Sequence, residues 1–204
     1  TALGQVAALS AGTGDPVWTY DPRSYDRLEK PANIGWQHRG VSYWRDSEGD
    51  DARIFIATHD QRLIALDADT GVPSAGFGAN GIVALSGSLG RPTDRARLTH
   101  SSPVAIVRNT VVVGSSLTDQ TTTREAPPGH VRAFDARTGA MKWIFHTIPQ
   151  GDEFGADSWQ NESWRYSGHT NVWGNMAVDE ALGYVYLPVS YTHLRAHETL
   201  RYLV

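Results

Sequence analysis

One short pattern occurs three times in the chain and narrows its fold more than any other feature. Residues 7–18 read AALSAGTGDPVW, residues 64–75 read IALDADTGVPSA, and residues 132–143 read RAFDARTGAMKW. Each copy is an alternating run of small and large apolar residues, a turn ending in Thr-Gly, and a second run. The second copy lacks the tryptophan and keeps the rest. The three threonines, Thr13, Thr70 and Thr138, stand 57 and 68 residues apart. Units repeating at roughly 40–50 residues are the mark of propeller blades, which bury their faces only by stacking on neighbours. The intervals here are that length plus insertions, visible as GSLGRPTDRARL (87–98) and TTTREAPPG (121–129).

Within each unit, a β-branched run, a polar turn and a second run follow one another, as in RIFIATHDQRLIALDADTG, and GYVYLPV (183–189) is a further run. No window of twelve residues carries apolar groups at helical spacing. Short strands separated by regular turn signals mean an all-β protein. The pattern predicts strands at 7–9, 54–57, 63–67, 111–114, 131–135 and 184–187. A β-sandwich is the other arrangement open to such strands. A tryptophan just past the turn suits docking between neighbouring blades, which explains its return at Trp18 and Trp143.

Composition closes off several functions. A net charge of -4 with scattered Lys and Arg leaves no basic footprint for nucleic acid. No apolar run approaches the ~18 residues needed to cross a membrane, and no basic-then-apolar leader opens the chain, so membrane association is expected only through an upstream segment. The absence of cysteine removes disulfides and thiolate metal sites.

The linking segments are more specific than the repeat. HRGVSYW (38–44), IFIATHDQRLIALDADTG (54–71), SSPVAIVRNTVVVGSSLTD (101–119), PPGHVRAFDARTGAMKW (127–143) and NVWGNMAVDEALGYVYLPV (171–189) occur in this order. Together, over residues 4–188, they closely resemble the quinoprotein dehydrogenases that use pyrroloquinoline quinone (PQQ), in the glucose-dehydrogenase-like branch. The family fold is an eight-bladed β-propeller of antiparallel four-stranded sheets. The resemblance therefore implies a partial propeller of about three to four blades.

It also implies PQQ and Ca²⁺. PQQ is a flat, tricarboxylated o-quinone, which needs cations for its carboxylates, a face to stack on and a divalent metal. Arg39 matches the family arginine that pairs with a PQQ carboxylate, a task suited to the planar guanidinium fork. Taken alone, Arg39 reads as a solvated residue at a strand entrance. Trp173 matches the tryptophan under the cofactor ring, where a flat plate orients an aromatic ligand; otherwise it is another blade-docking tryptophan. Ser115, Ser116 and Thr118 occupy positions where small residues let the backbone approach the cofactor edge, or they form a plain polar turn. Asp119 matches the first carboxylate ligand of the Ca²⁺ site. Alcohol-oxidising relatives cover the upper PQQ face with a vicinal disulfide and glucose-dehydrogenase-like ones with a histidine; without cysteine, His38 is the nearest candidate. His100 and His169 are second choices. His59, His130 and His146 read as surface or turn residues.

After residue 188 the pattern breaks. VSYTHLRAHETLRYLV resembles the translation of a transposon end and adapter used in shotgun DNA libraries. The expected organisation is a partial propeller over 1–190 and a non-native tail over 191–204. His193 and His197 are accordingly not a metal pair. The family's asparagine ligand to Ca²⁺ and its catalytic aspartate would follow residue 190, so no catalytic residue is assigned in this chain.

The resemblance implies that the parent protein is a periplasmic enzyme oxidising a sugar or alcohol hydroxyl by hydride transfer to PQQ. Electrons would pass on to a membrane quinone or a cytochrome. This fragment would be inactive. The rival is a non-catalytic propeller scaffold of the outer-membrane-assembly type, which shares the repeat but has no reason to carry HRGVSYW or NVWG.

Overall fold

Strand follows strand along the chain in the computed structural model, which describes residues 2–31, 35–91, 97–118 and 125–190. β1 (Val6–Leu9) and β2 (Pro16–Tyr20) form a hairpin. β3 (Ser42–Arg45), β4 (Ala52–Ala57), β5 (Arg62–Asp67) and β6 (Ile82–Ala84) follow as a four-stranded antiparallel meander. Next come β7 (Leu98–Thr99), β8 (Ala105–Val107), β9 (Thr110–Val113), β10 (Ser116–Leu117), β11 (Val131–Asp135) and β12 (Met141–Phe145). The second meander runs β8-β9-β11-β12, and β7 pairs with β10 as a small extra ribbon. β13 (Ala177–Asp179) and β14 (Tyr184–Tyr186) make a last hairpin.

Every expected strand is present, with 111–114 ending at Val113 and 184–187 ending at Tyr186. Helix is confined to short 3₁₀ turns among the described residues. Among the described residues, two complete four-stranded blades and two flanking hairpins make three blades' worth of strand, the lower end of the expected range. The protein is an all-β, partial propeller.

Successive side chains of a strand point to opposite faces, and here both faces are covered. Phe55, Ala57, Leu63 and Ala65 meet Val111, Val113 and Phe134 between the two complete blades. The alternate residues Ile56, Ile64 and Leu66 face Val6, Trp18 and Tyr20 of the first hairpin. On the far side Val112, Val131 and Ala133 pack on Val172, Met176 and Val185. Burial on two faces is why these strands read as nearly continuous apolar runs rather than a clean alternation.

The repeated turn is a local hydrogen-bond device. Asp67 Oδ1 accepts from the Thr70 N–H at 2.8 Å and from its hydroxyl at 2.6 Å. Asp135 Oδ1 does the same for Thr138, at 3.0 and 3.1 Å. Such Asx closure favours a turn over continued strand. Gly71 then takes φ +71°, where a side chain is strained, and its N–H returns to Asp67 O at 2.9 Å.

The tryptophan docks one unit ahead. Trp18 lays its indole against Gly71, where a Cβ would come within 2.5 Å of the ring, and its Nε1 donates to Ala68 O at 3.0 Å. The second copy has no tryptophan, and its loop does the same work: Gly78 N–H donates to Thr138 O at 2.9 Å, and Gly78 abuts Gly139. Trp143 departs from the expectation. It is 39% exposed on the outer strand β12, beside exposed Met141 and Phe145, because no following turn lies against it among the described residues.

Candidate functional site

Three chain segments enter the strands that begin each blade, and they enter at the same end. Residues 38–41 lead into β3, residues 100–104 into β8, and residues 171–176 into β13. β8 lies against both β3 and β13, so these are the inner strands, and their entrances crowd together where a propeller binds ligands.

That crowding brings Arg39 and Trp173 together. The guanidinium carbon of Arg39 lies over the Trp173 ring, 5.3 Å from its centroid. Nη1 of Arg39 donates to Ser101 Oγ at 2.8 Å and to Ser102 Oγ at 3.4 Å. Among the described residues no carboxylate pairs with Arg39, and its Nε–Nη2 edge makes no hydrogen bond. That edge of the fork is one that takes carboxylates bidentately. Trp173 is 46% exposed, which leaves ring surface for a ligand.

Ser115 and Ser116 line a small cavity beneath Trp173, together with His100, Gly114, Val172 and Met176. Gly114 is required there, because a Cβ would sit 2.2 Å from Val172 O. Among the described residues Ser115 Oγ is buried with no hydrogen-bond partner. Thr118 is otherwise engaged: its N–H and hydroxyl both donate to Arg97 O, at 3.0 and 3.4 Å. Asp119 lies outside the described residues, as do 191–204. Among the described residues no group of three His, Asp or Glu side chains could hold a metal ion.

His38 is pinned through both nitrogens. The Gly40 N–H donates to Nδ1 at 3.2 Å, so Nε2 carries the proton and donates to Ala57 O at 2.9 Å. Burial pushes its pKa down, and only the ring face is left to meet a ligand.

The other histidines correct the surface part of the sequence reading. His59 lies in a turn, as that reading allows, but it and His130 are buried, and so are the second choices His100 and His169. A neutral imidazole can be buried when a carbonyl accepts a hydrogen bond from its N–H: His100 Nδ1 donates to Gly114 O at 2.7 Å, and His59 Nε2 meets Gln37 O at 3.1 Å. Burial brings the pKa of His100 to about 3, with the nearby Arg132 charge adding to it. His130 is likewise held at about 3, by burial and then by His146, and His59 at about 4.

Ser101 and Ser102, which hydrogen-bond to Arg39 and Trp173, were passed over in the sequence reading although they sit in a quoted segment. Their signal was positional. They precede β8 by the same few residues that separate Arg39 from β3 and Trp173 from β13.

Comparison with known proteins agrees with this architecture. The β-propeller domain of PQQ-dependent glucose/ethanol/alcohol dehydrogenases matches over residues 1–201. A quinoprotein glucose dehydrogenase of Escherichia coli is 32% identical over 206 aligned residues, covering 94% of this chain and 24% of the relative. A quinate/shikimate dehydrogenase (quinone) of Acinetobacter baylyi is 36% identical over 137, covering 67% and 16%. The solved quinohemoprotein alcohol dehydrogenase ADHIIG of Pseudomonas putida superposes with a TM-score of 0.71 at 25% identity, over 93% of this chain and 26% of that one. The chain spans about a quarter of the length of most such relatives.

Proposed function

Because the chain belongs to the β-propeller family of PQQ-dependent glucose/ethanol/alcohol dehydrogenases, we propose that it is a segment of an enzyme oxidising a sugar or alcohol hydroxyl with PQQ. The observation that carries this reading is the fork edge of Arg39, unpaired among the described residues, beside the half-exposed face of Trp173. A cation without a carboxylate and a bare aromatic plate together suit a flat polyanion. The relatives named for glucose, quinate and alcohol support the substrate class.

When bound, the quinone supplies an acceptor for the hydride of the substrate's carbinol carbon. This chain's own part is to bind and orient. Arg39 offers Nε and Nη2 to a carboxylate. Trp173 sets the plane of the ring, and Gly114 with Ser115 allows the backbone to come close. His38 presents its ring face, fixed by Ala57 and Gly40. Calcium enters the proposal through Asp119 alone, one of the several oxygen ligands such an ion takes, so no step is assigned to it. The proton acceptor is the family's aspartate, which we place after residue 190. The electron acceptor, quinone or cytochrome, and a periplasmic location belong to the same proposal.

The test uses the full-length protein that carries this segment, loaded with PQQ and Ca²⁺, in a dye-linked assay across sugars and alcohols. We expect PQQ-dependent turnover, falling at least about tenfold in Trp173→Ala and in Asp119→Ala, the size expected when a group that positions the reactants is lost. Lys142→Ala on the outer strand should leave it unchanged. The 204-residue chain alone should bind PQQ weakly or not at all and show no activity. No PQQ-dependent oxidation of any sugar or alcohol by the full-length protein would refute the reading.

A further inference from the structure

We propose that Ser101 and Ser102 are positioning residues, a pair of hydroxyls that set Arg39 and Trp173 in register for the cofactor. This rests on the PQQ reading of those two side chains. Arg39 and Trp173 come from the entrances of β3 and β13, which belong to different blades and do not adjoin in the chain. Their separation therefore depends on how the blades stack. The entrance of β8 lies between them and bonds to both.

The bonds on the Arg39 side are three. Arg39 N–H donates to Ser101 O at 2.8 Å, which fixes the backbone. Nη1 donates to Ser101 Oγ at 2.8 Å and to Ser102 Oγ at 3.4 Å, which fixes the side chain. On the other side the Ser102 hydroxyl donates to Trp173 O. An exposed arginine has among the largest rotamer freedoms of any side chain. Holding Nη1 in place leaves the opposite fork edge aimed before any ligand arrives, which is the basis of preorganised binding.

The chemistry selects a hydroxyl. Ser102 Oγ accepts a hydrogen bond from a cation and donates one to a carbonyl, and only a group that is both donor and acceptor does this. Bonds linked in such a chain polarise one another. The tripeptide is itself anchored from below. Ser101 is buried, and His100 behind it donates Nδ1–H to Gly114 O at 2.7 Å, tying the serines to the floor of the same cavity. Arg39, Trp173 and the Ser115 edge thus share one support.

Two measurements test the pair. In the ligand-free 204-residue chain labelled with 5-fluorotryptophan, the Trp173 ¹⁹F resonance, identified by Trp173→Phe, should shift when Ser101→Ala and Ser102→Ala are combined. It should return with Ser101→Thr and Ser102→Thr. In the full-length protein, PQQ titrated against intrinsic fluorescence should show a Kd about tenfold weaker for the double alanine variant, the loss expected for a hydrogen bond to a charged group. The thermal midpoint should stay at the wild-type value and threonine should restore binding. A Trp173 resonance that does not move overturns the proposal whatever PQQ does. Wild-type PQQ affinity in the double alanine variant overturns the role toward the cofactor while leaving the dehydrogenase reading intact. A wild-type protein that ignores PQQ, with the resonance still moving, refutes the dehydrogenase reading and supports the pair as organisers of Arg39 and Trp173.

Discussion

Gly71 and Trp18 offer a direct measurement of how one unit grips the next. Gly71→Ala would place a methyl group 2.5 Å from Trp18 Cε3 and 2.6 Å from Cδ2, at a backbone φ of +71°. The left-handed conformation costs an L-residue about 1–2 kcal/mol. Overlap with a packed ring adds about 1–3 kcal/mol, since the indole is held by its bond to Ala68 O and cannot simply withdraw. Trp18→Ala loses that bond and the packing on Ile64 and Leu66, about 2–4 kcal/mol for a half-buried tryptophan. In the double variant the overlap disappears and only the backbone strain remains. The two losses should therefore fall short of additivity by about 1–3 kcal/mol. Equilibrium urea unfolding of the four proteins reads this as shifts in midpoint of roughly 1 M at a slope near ~2 kcal/mol/M. If Gly71→Ala costs the same with and without Trp18, the docking of tryptophan onto the following turn is not what holds the units together.

Buried histidines make stability depend on pH. His59, His100 and His130 have folded pKa values of about 4, 3 and 3, below the unfolded value of about 6.5, so the unfolded chain takes protons first as pH falls. Their contribution is intact above pH ~6.5 and is lost on acidification toward the folded values, at about 2 kcal/mol each by pH ~5; equal urea midpoints at the two pH values would count against it. Gly114→Ala drives a Cβ into Val172 O at 2.2 Å, backbone against backbone. It should destabilise by about 2–4 kcal/mol and move Trp173, seen as a changed emission maximum. Deleting residues 191–204, which we propose to be foreign to the protein, should leave the thermal midpoint unchanged, and a drop of several degrees would make the tail native.

The strands and turns were legible because their causes are local. Asp67 closes on Thr70 three residues away, Gly71 supplies the left-handed step next to it, and β-branched runs sit on either side. The resemblance singled out Arg39, Trp173, Ser115 and Ser116; the structure sets Arg39 over Trp173 and both serines in the cavity that Trp173 also lines, and their role toward a cofactor is a proposal. Asp119 stands as it did, outside the described residues. The histidines misled because an imidazole is equally at home on a surface or buried against a carbonyl, and one sequence position does not distinguish the two. Trp143 carries the same motif as Trp18, but among the described residues no turn of a following unit lies against it.

An all-β chain of stacked, repeating units therefore follows from the sequence by itself, since period-two runs and Asp-x-x-Thr-Gly turns are properties of neighbouring residues. Which side chains meet is decided only in three dimensions. Arg39 reaches Ser101 across 62 positions, and Ser102 reaches Trp173 across 71. No local signal encodes those pairs. They arise because blades burying both faces must stack, and stacking carries the entrances of their inner strands to one place.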